Sequence, residues 1–246
     1  MKKLFVSLLT LAVLFCFCSC DLVIVAGTSP KADAATLYRE GFAKLDPESN
    51  MNVRISLASE GQEVSMALAY TFDANGQPSV RLEESVSLEE LVISMGAVYV
   101  DGWTYEWYEY ENEVEKTKYR DMMDADDLLE PMLAYGPSDA VAEALKGADV
   151  TKSGSLTTFS CELSGEAALD AFASSLFTLM MGSGAPEEPD MIGFVSVTVN
   201  EEGYLVKIEE TYTVDGETTT LVTEFPNPGE PVVITAPADA DEYIES

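Results

Sequence analysis

The chain has 246 residues, 44 acidic against 13 basic, with no histidine and a formal net charge of −31. That balance argues against nucleic-acid binding, which meets phosphates with clustered Lys and Arg, and it sets the body against an anionic lipid surface. The missing histidine removes the commonest general base and the commonest metal ligand.

Lys2 and Lys3 open the chain, and an apolar run over residues 4–17 follows, in the order of a secretory signal. The run is shorter than the roughly 20 apolar residues a spanning helix needs. It ends in Phe17-Cys18-Ser19-Cys20, which resembles the lipobox of bacterial lipoproteins. The resemblance implies cleavage between Ser19 and Cys20 and a diacylglycerol on the Cys20 thiol. An uncleaved anchor is the competing reading, because residues 22–25 are also apolar, but it would place Asp21 in hydrocarbon. With Cys20 lipidated and the leader gone, Cys161 has no partner for an intramolecular disulfide.

Residues 26–33 are small and polar and read as a tether. Residues 36–45 have helical spacing, with Leu37, Phe42 and Leu45 on one stripe that ends near Asp46-Pro47. The period then becomes two. Met51, Val53, Ile55 and Leu57 share one face, and Asn52, Arg54 and Ser56 share the other. Gly61-Gln62 turns the chain into Val64, Met66, Leu68, Tyr70 and Phe72, and Asn75-Gly76 marks a hairpin into Val80, Leu82, Glu84 and Val86. Asp101-Gly102 centres another hairpin, between residues 97–100 and an aromatic strand. That strand puts Trp103, Tyr105 and Trp107 on one face and Tyr108 and Tyr110 on the other. Residues 114–120 predict a polar edge strand.

Residues 122–135 predict a helix, with Asp124, Asp126 and Asp127 where carboxylates suit its dipole. Residues 138–146 predict a second, capped by Ser138 and stopped at Gly147. A strand over 157–163, a helix over 165–181 and strands over 192–199, 204–214 and 218–225 complete the plan. Helix then three antiparallel strands thus occurs twice in outline, without matching sequence. Pro226, Pro228, Pro231 and Pro237 keep the next segment out of a central strand, residues 232–235 pairing at most along an edge, and acidic residues 239–246 are expected to fray.

Clean alternation predicts a sheet with one wet and one dry face. The helix over 165–181 is the candidate cover for the dry face. Leu169, Phe172, Leu176 and Met180 form one stripe, Phe177 lies on another, and Glu166 and Asp170 are its only charges. Such a helix must be covered on more than one side. Leu128, Leu129, Met132 and Leu133 of the preceding helix would supply a second cover. Met and Phe stripes more often pack as plain core. The sharper expectation is that Leu128, Met132, Leu169, Phe172, Leu176, Phe177 and Met180 line a hollow for an apolar ligand, a task that adaptable thioethers suit.

The order of elements, together with Val98-Tyr99-Val100-Asp101-Gly102 and the ending Pro231-Val232-Val233-Ile234-Thr235-Ala236-Pro237, resembles the LolA/LppX-like half-barrel lipoproteins. The resemblance runs from the helix near Leu37 to Pro237. It implies an α+β fold, a curved antiparallel sheet with helices packed in its concave face, and acyl chains of a lipid or lipoprotein held between the layers. Relatives of this shape also act as sensors that bind lipoproteins and regulate a membrane signalling protein. The family passes on no catalytic residue.

Chemistry is sparse. Neither a Ser-His-Asp nor a Cys-His arrangement is available, Gly182-Ser183-Gly184 lacks the spacing of a nucleophile elbow, and no glycine-rich phosphate loop occurs. Cys161, between Ser160 and Glu162 on a strand, reads as a buried structural thiol. Asp124, Asp126 and Asp127 lack the glycine of a calcium loop and read as a solvated helix start. Trp103, Tyr105 and Trp107 read as cross-strand packing. The expectation is a signal peptide over 1–19, a lipidated N-terminus and tether over 20–33, one half-barrel domain over 34–238 and an acidic tail over 239–246. The chain would be a lipid-anchored, extracytoplasmic monomer, not an enzyme, with no metal or cofactor, binding a lipid or acyl chain. The alternative is a sensory or protein-interaction lipoprotein without a small-molecule ligand.

Overall fold

The computed structural model describes residues 33–88, 91–111, 113–120, 130, 132–181 and 190–245. The signal, Ser19, Cys20, the tether up to residue 32, Asp124, Asp126, Asp127, Leu128 and Leu129 lie outside the described residues.

Helix α1 (Ala34–Ala43) starts at Asp33, whose carboxylate accepts the Ala35 N–H at 3.2 Å. Six strands follow in a meander: β1 (Asn50–Ser59), β2 (Gln62–Phe72), β3 (Pro78–Leu88), β4 (Leu91–Val100), β5 (Trp103–Tyr110) and β6 (Glu113–Tyr119). Helix α2 (Asp139–Ala144), β7 (Asp149–Ser153), β8 (Leu156–Ser164), α3 (Glu166–Ala173), α4 (Leu176–Met181), β9 (Ile192–Asn200), β10 (Leu205–Val214) and β11 (Glu217–Glu224) come next, and the short β12 (Ile244–Glu245) comes last. Of the expected helix over 122–135, residues 130 and 132–135 are described; 130 and 132–134 are helical and Tyr135 is not.

Among the described residues, twelve strands join one unclosed sheet in the order β12-β6-β5-β4-β3-β2-β1-β11-β10-β9-β8-β7. Two meanders meet where β1 pairs antiparallel with β11, Ile55 opposite Thr223 and Leu57 opposite Leu221. This is the curved half-barrel of the expected α+β class. The Asp101-Gly102 turn holds as read: both residues have positive φ, and Asp215 and Gly216 share that geometry of tight hairpin turns that match strand twist.

The helices gather over β1 and β8–β10. Gly41 of α1 lets that helix close on β10, since a Cβ there would stand 2.8 Å from Leu205 Cγ. Tyr38, Phe42, Val53, Leu68, Phe159, Val195, Val197, Leu205 and Leu221 are among the buried side chains that form the core between the layers.

Three expectations change. The helix over 165–181 is two helices, because Ser174 Oγ donates to the Asp170 and Ala171 carbonyls and Ser175 Oγ accepts the Thr178 N–H, so hydroxyls replace the helix ladder at the joint. Strand β6 is not the sheet edge, since β12 runs parallel beside Thr117 and Lys118. Residues 239–245 are docked instead of frayed. Lys116 pairs with Asp239 at 2.6 Å and Glu242 at 2.5 Å, and Tyr243 is buried with its ring edge-on to Tyr105.

Candidate functional site

Register decides which side chains share the helix-facing surface. Glu84, Met95, Tyr108 and Glu115 lie side by side across β3–β6, and Leu82, Ala97, Glu106 and Thr117 form the neighbouring row. Those eight surround a hollow of about 390 Å³, with the backbone at Gly96 and Trp107 completing its lining. Ala97 makes the dip: it is the one small side chain in its row, flanked by Leu82 on β3 and Glu106 on β5. The size falls within the roughly 300–1,000 Å³ typical of small-molecule sites.

The apolar surface continues beyond the hollow. The next row holds Val86, Ile93 and Tyr110 and extends onto β2 through Val64, while Met66 extends the Glu84 row onto the same strand. These side chains are half-buried or exposed. Met95 is 37% exposed, Tyr108 41% and Tyr110 36%, so the helix side of β2–β6 is far less covered than that of β8–β10.

The side chains expected to line a pocket lie elsewhere. Met132 and Leu176 are fully buried, and Leu169, Phe172, Phe177 and Met180 are partly buried against the same core, Phe172 edge-on to Tyr212 at 5.2 Å. They are brought together, but as packing against the sheet, and none of them touches the hollow by Ala97. Leu128 lies outside the described residues. Cys161 is a buried free thiol on β8, and burial pushes its pKa up to about 11.

Glu210 is the titratable group that strand alternation alone should have flagged. It falls in phase with Ile208, Tyr212 and Val214 on the dry face and is 5% exposed. Burial pushes its pKa up to about 7, against the pull of the Tyr212 hydroxyl, which donates to Glu210 Oε1 at 2.9 Å. Facing groups are the phenols of Tyr38 and Tyr135, both also raised by burial. Glu210 does not line the hollow by Ala97.

The opposite face carries a separate groove of about 480 Å³. Ser56, Ser65, Ser85 and Ser94 form a cross-strand row along it. Trp107 closes one end and lies over Gly96, where no side chain would fit. The other two aromatic residues of β5 on that face are engaged internally, Trp103 beneath the Arg120 guanidinium at 4.3 Å and Tyr105 against Tyr243. The chain after β11 crosses the same face, sharing a further hollow with Asn52, Arg54 and Arg81.

The strand order and the one-sided helices define an open half-barrel, part of whose inner wall is left uncovered by the described residues. No family model matches the sequence, and no curated protein does. Among solved structures the chain is similar to LprF from Mycobacterium bovis, at 13% identity over 85% of this chain and 99% of that one, with a TM-score of 0.45. It also aligns with the MucA/MucB complex structure of Pseudomonas aeruginosa, at 9% identity over 80% of this chain and 95% of that one, with a TM-score of 0.16. Neither likeness is close enough to add to what the strand order establishes. Among the described residues no helix is long and apolar enough to cross a membrane.

Proposed function

We propose that this chain is a non-enzymatic, extracytoplasmic lipoprotein, anchored through Cys20, that binds a lipid or acyl chain on the uncovered inner wall of its half-barrel. One observation carries the binding reading. The helix-facing surface of β2–β5 presents Val64, Met66, Leu82, Val86, Ile93, Met95, Tyr108 and Tyr110 around a hollow that the core does not fill. Contiguous apolar surface left open to water is the ordinary mark of a binding site. The soluble part from Asp21 onward, purified from its host and sprayed under native conditions, should carry an apolar ligand that denaturing spectra release. For alkyl ligands, affinity should rise about fourfold with each added methylene. A protein that purifies empty and ignores chain length would sink this reading.

The anchor is tested separately. Cys20→Ser should give a protein that keeps its leader and takes up no lipid label. Labelling of that variant by a palmitate analogue would overturn the assignment.

A second reading, a sensory or protein-interaction lipoprotein, draws on the groove beside Trp107 on the outer face. Pull-downs from membranes at low and high salt separate it, because a partner held by this acidic chain should be lost as salt screens the contact.

A further inference from the structure

We propose that the hollow selects amphiphiles with a cationic polar end and turns away anionic ones. This rests on the reading of the hollow as an apolar-ligand site and adds the identity of the head group.

The argument begins with how charge is sorted between the two faces of β1–β6. Every described Lys and Arg within these strands, Arg54, Arg81, Lys116 and Lys118, lies in register on the outer face. The inner face of the same strands carries Glu84, Glu106, Glu113 and Glu115 and no cation. Strand alternation makes this a strict partition, because a lysine on the outer face cannot turn through the sheet to neutralise an inner carboxylate. Lys116 is in any case held on its own side by Asp239 and Glu242.

Three of these carboxylates stand around the hollow. Glu84 and Glu115 mark the two ends of one row, about 14 Å apart across three strand spacings, and Glu106 stands beside Ala97 in the next. Glu84 and Glu106 are half-buried, and no ion pair among the described residues engages any of the three. Tyr119 donates its hydroxyl to Glu106 Oε1 at 2.5 Å, which orients that carboxylate beside the dip. Between the acids lie Met95 and Tyr108, a thioether and a ring face, both suited to an organic ammonium. A head of that kind finds opposite charge on three sides while its tail runs along Leu82, Val86 and Ile93. A carboxylate or phosphate head on the same tail would meet like charge on those three sides, two of the carboxylates being half-buried and so less screened.

The test holds the tail constant. Binding of dodecylammonium, dodecyl glucoside and dodecanoate to the soluble chain is measured by calorimetry at physiological salt, below micelle-forming concentrations. Two variants accompany the wild type: Glu84→Gln/Glu106→Gln/Glu115→Gln inside, and Glu63→Gln/Glu109→Gln/Glu162→Gln on the outer face, an equal change of charge. The expected result is dodecylammonium bound at least about tenfold more tightly than dodecanoate. The inner variant should bring the two within about threefold of each other, and the outer variant should leave the gap intact. Dodecanoate bound as well as dodecylammonium, or a gap eroded equally by both variants, would overturn the proposal, the latter because the whole molecule's field would then suffice. If the glucoside binds and head charge has no effect, the apolar site stands and its selectivity falls. If none of the three ligands binds, the site itself falls.

Discussion

Replacing Glu210 by glutamine tests how the half-barrel carries an acid in its core. The carboxyl is 5% exposed and has its pKa raised from 4.5 to about 7, so the folded protein holds this proton more tightly than the unfolded chain. Stability from this group is therefore fully present below pH 4.5 and is lost as pH rises towards 7, levelling beyond. At about 1.4 kcal/mol for each tenfold in proton affinity, the ionised state is penalised by about 3 kcal/mol. Glutamine keeps the shape, and its carbonyl oxygen still accepts from Tyr212. Urea unfolding of wild type and Glu210→Gln across this range should give nearly equal stabilities at the acid end. Above neutrality the variant should be more stable by about 3 kcal/mol. The other acids titrate alike in both proteins and cancel in the difference. Parallel profiles, with no divergence between pH 4.5 and 7, would refute the assignment of a proton to this buried site.

Other consequences are as direct. Gly96→Ala would drive a Cβ into Trp107 and to 2.7 Å from the Leu82 carbonyl, so a loss of about 1–3 kcal/mol and a change in tryptophan emission are expected; an unchanged melt and spectrum would mean the ring does not lie there. Leu176→Ala removes a fully buried side chain from α4 and should cost about 2–5 kcal/mol by calorimetry, whereas a ligand-lining residue would lower binding with little loss of stability. Cys161, buried with its pKa pushed up to about 11, should resist thiol reagents in the native soluble chain and react on unfolding. Rapid stoichiometric labelling of the folded protein would contradict its placement.

Period-two alternation located most of the sheet, and the paired positive-φ turns at Asp101-Gly102 and Asp215-Gly216 were legible from residue type alone. Strand β7 was missed, since its residues are all exposed at an edge and give no dry face to read. The first half of β4 was missed as well, because Leu91, Val92 and Ile93 run together before alternation resumes. The break between α3 and α4 depends on which acceptor the Ser174 and Ser175 hydroxyls choose, and composition does not encode that choice. The hollow shows the same limit at the level of the site. Each of its strands could be phased from sequence, and Glu84 already stood in phase with Leu82 and Val86. That Ala97 falls between Leu82 and Glu106 is a fact of register between strands, fixed only once the sheet is assembled. The methionine and phenylalanine stripe drew attention to the helices for the opposite reason, because its side chains were apolar enough to bury one another.

The seam between β1 and β11 sets a timetable. Ile55 meets Thr223 only after β11 has been made, and pairings so distant in sequence are slow to form. Until then the first meander presents β1 as a naked strand to any neighbour able to pair with it. Factors that shield nascent chains matter most during that interval, and damage to β11 should appear as clumping of newly made protein before it appears as lost binding.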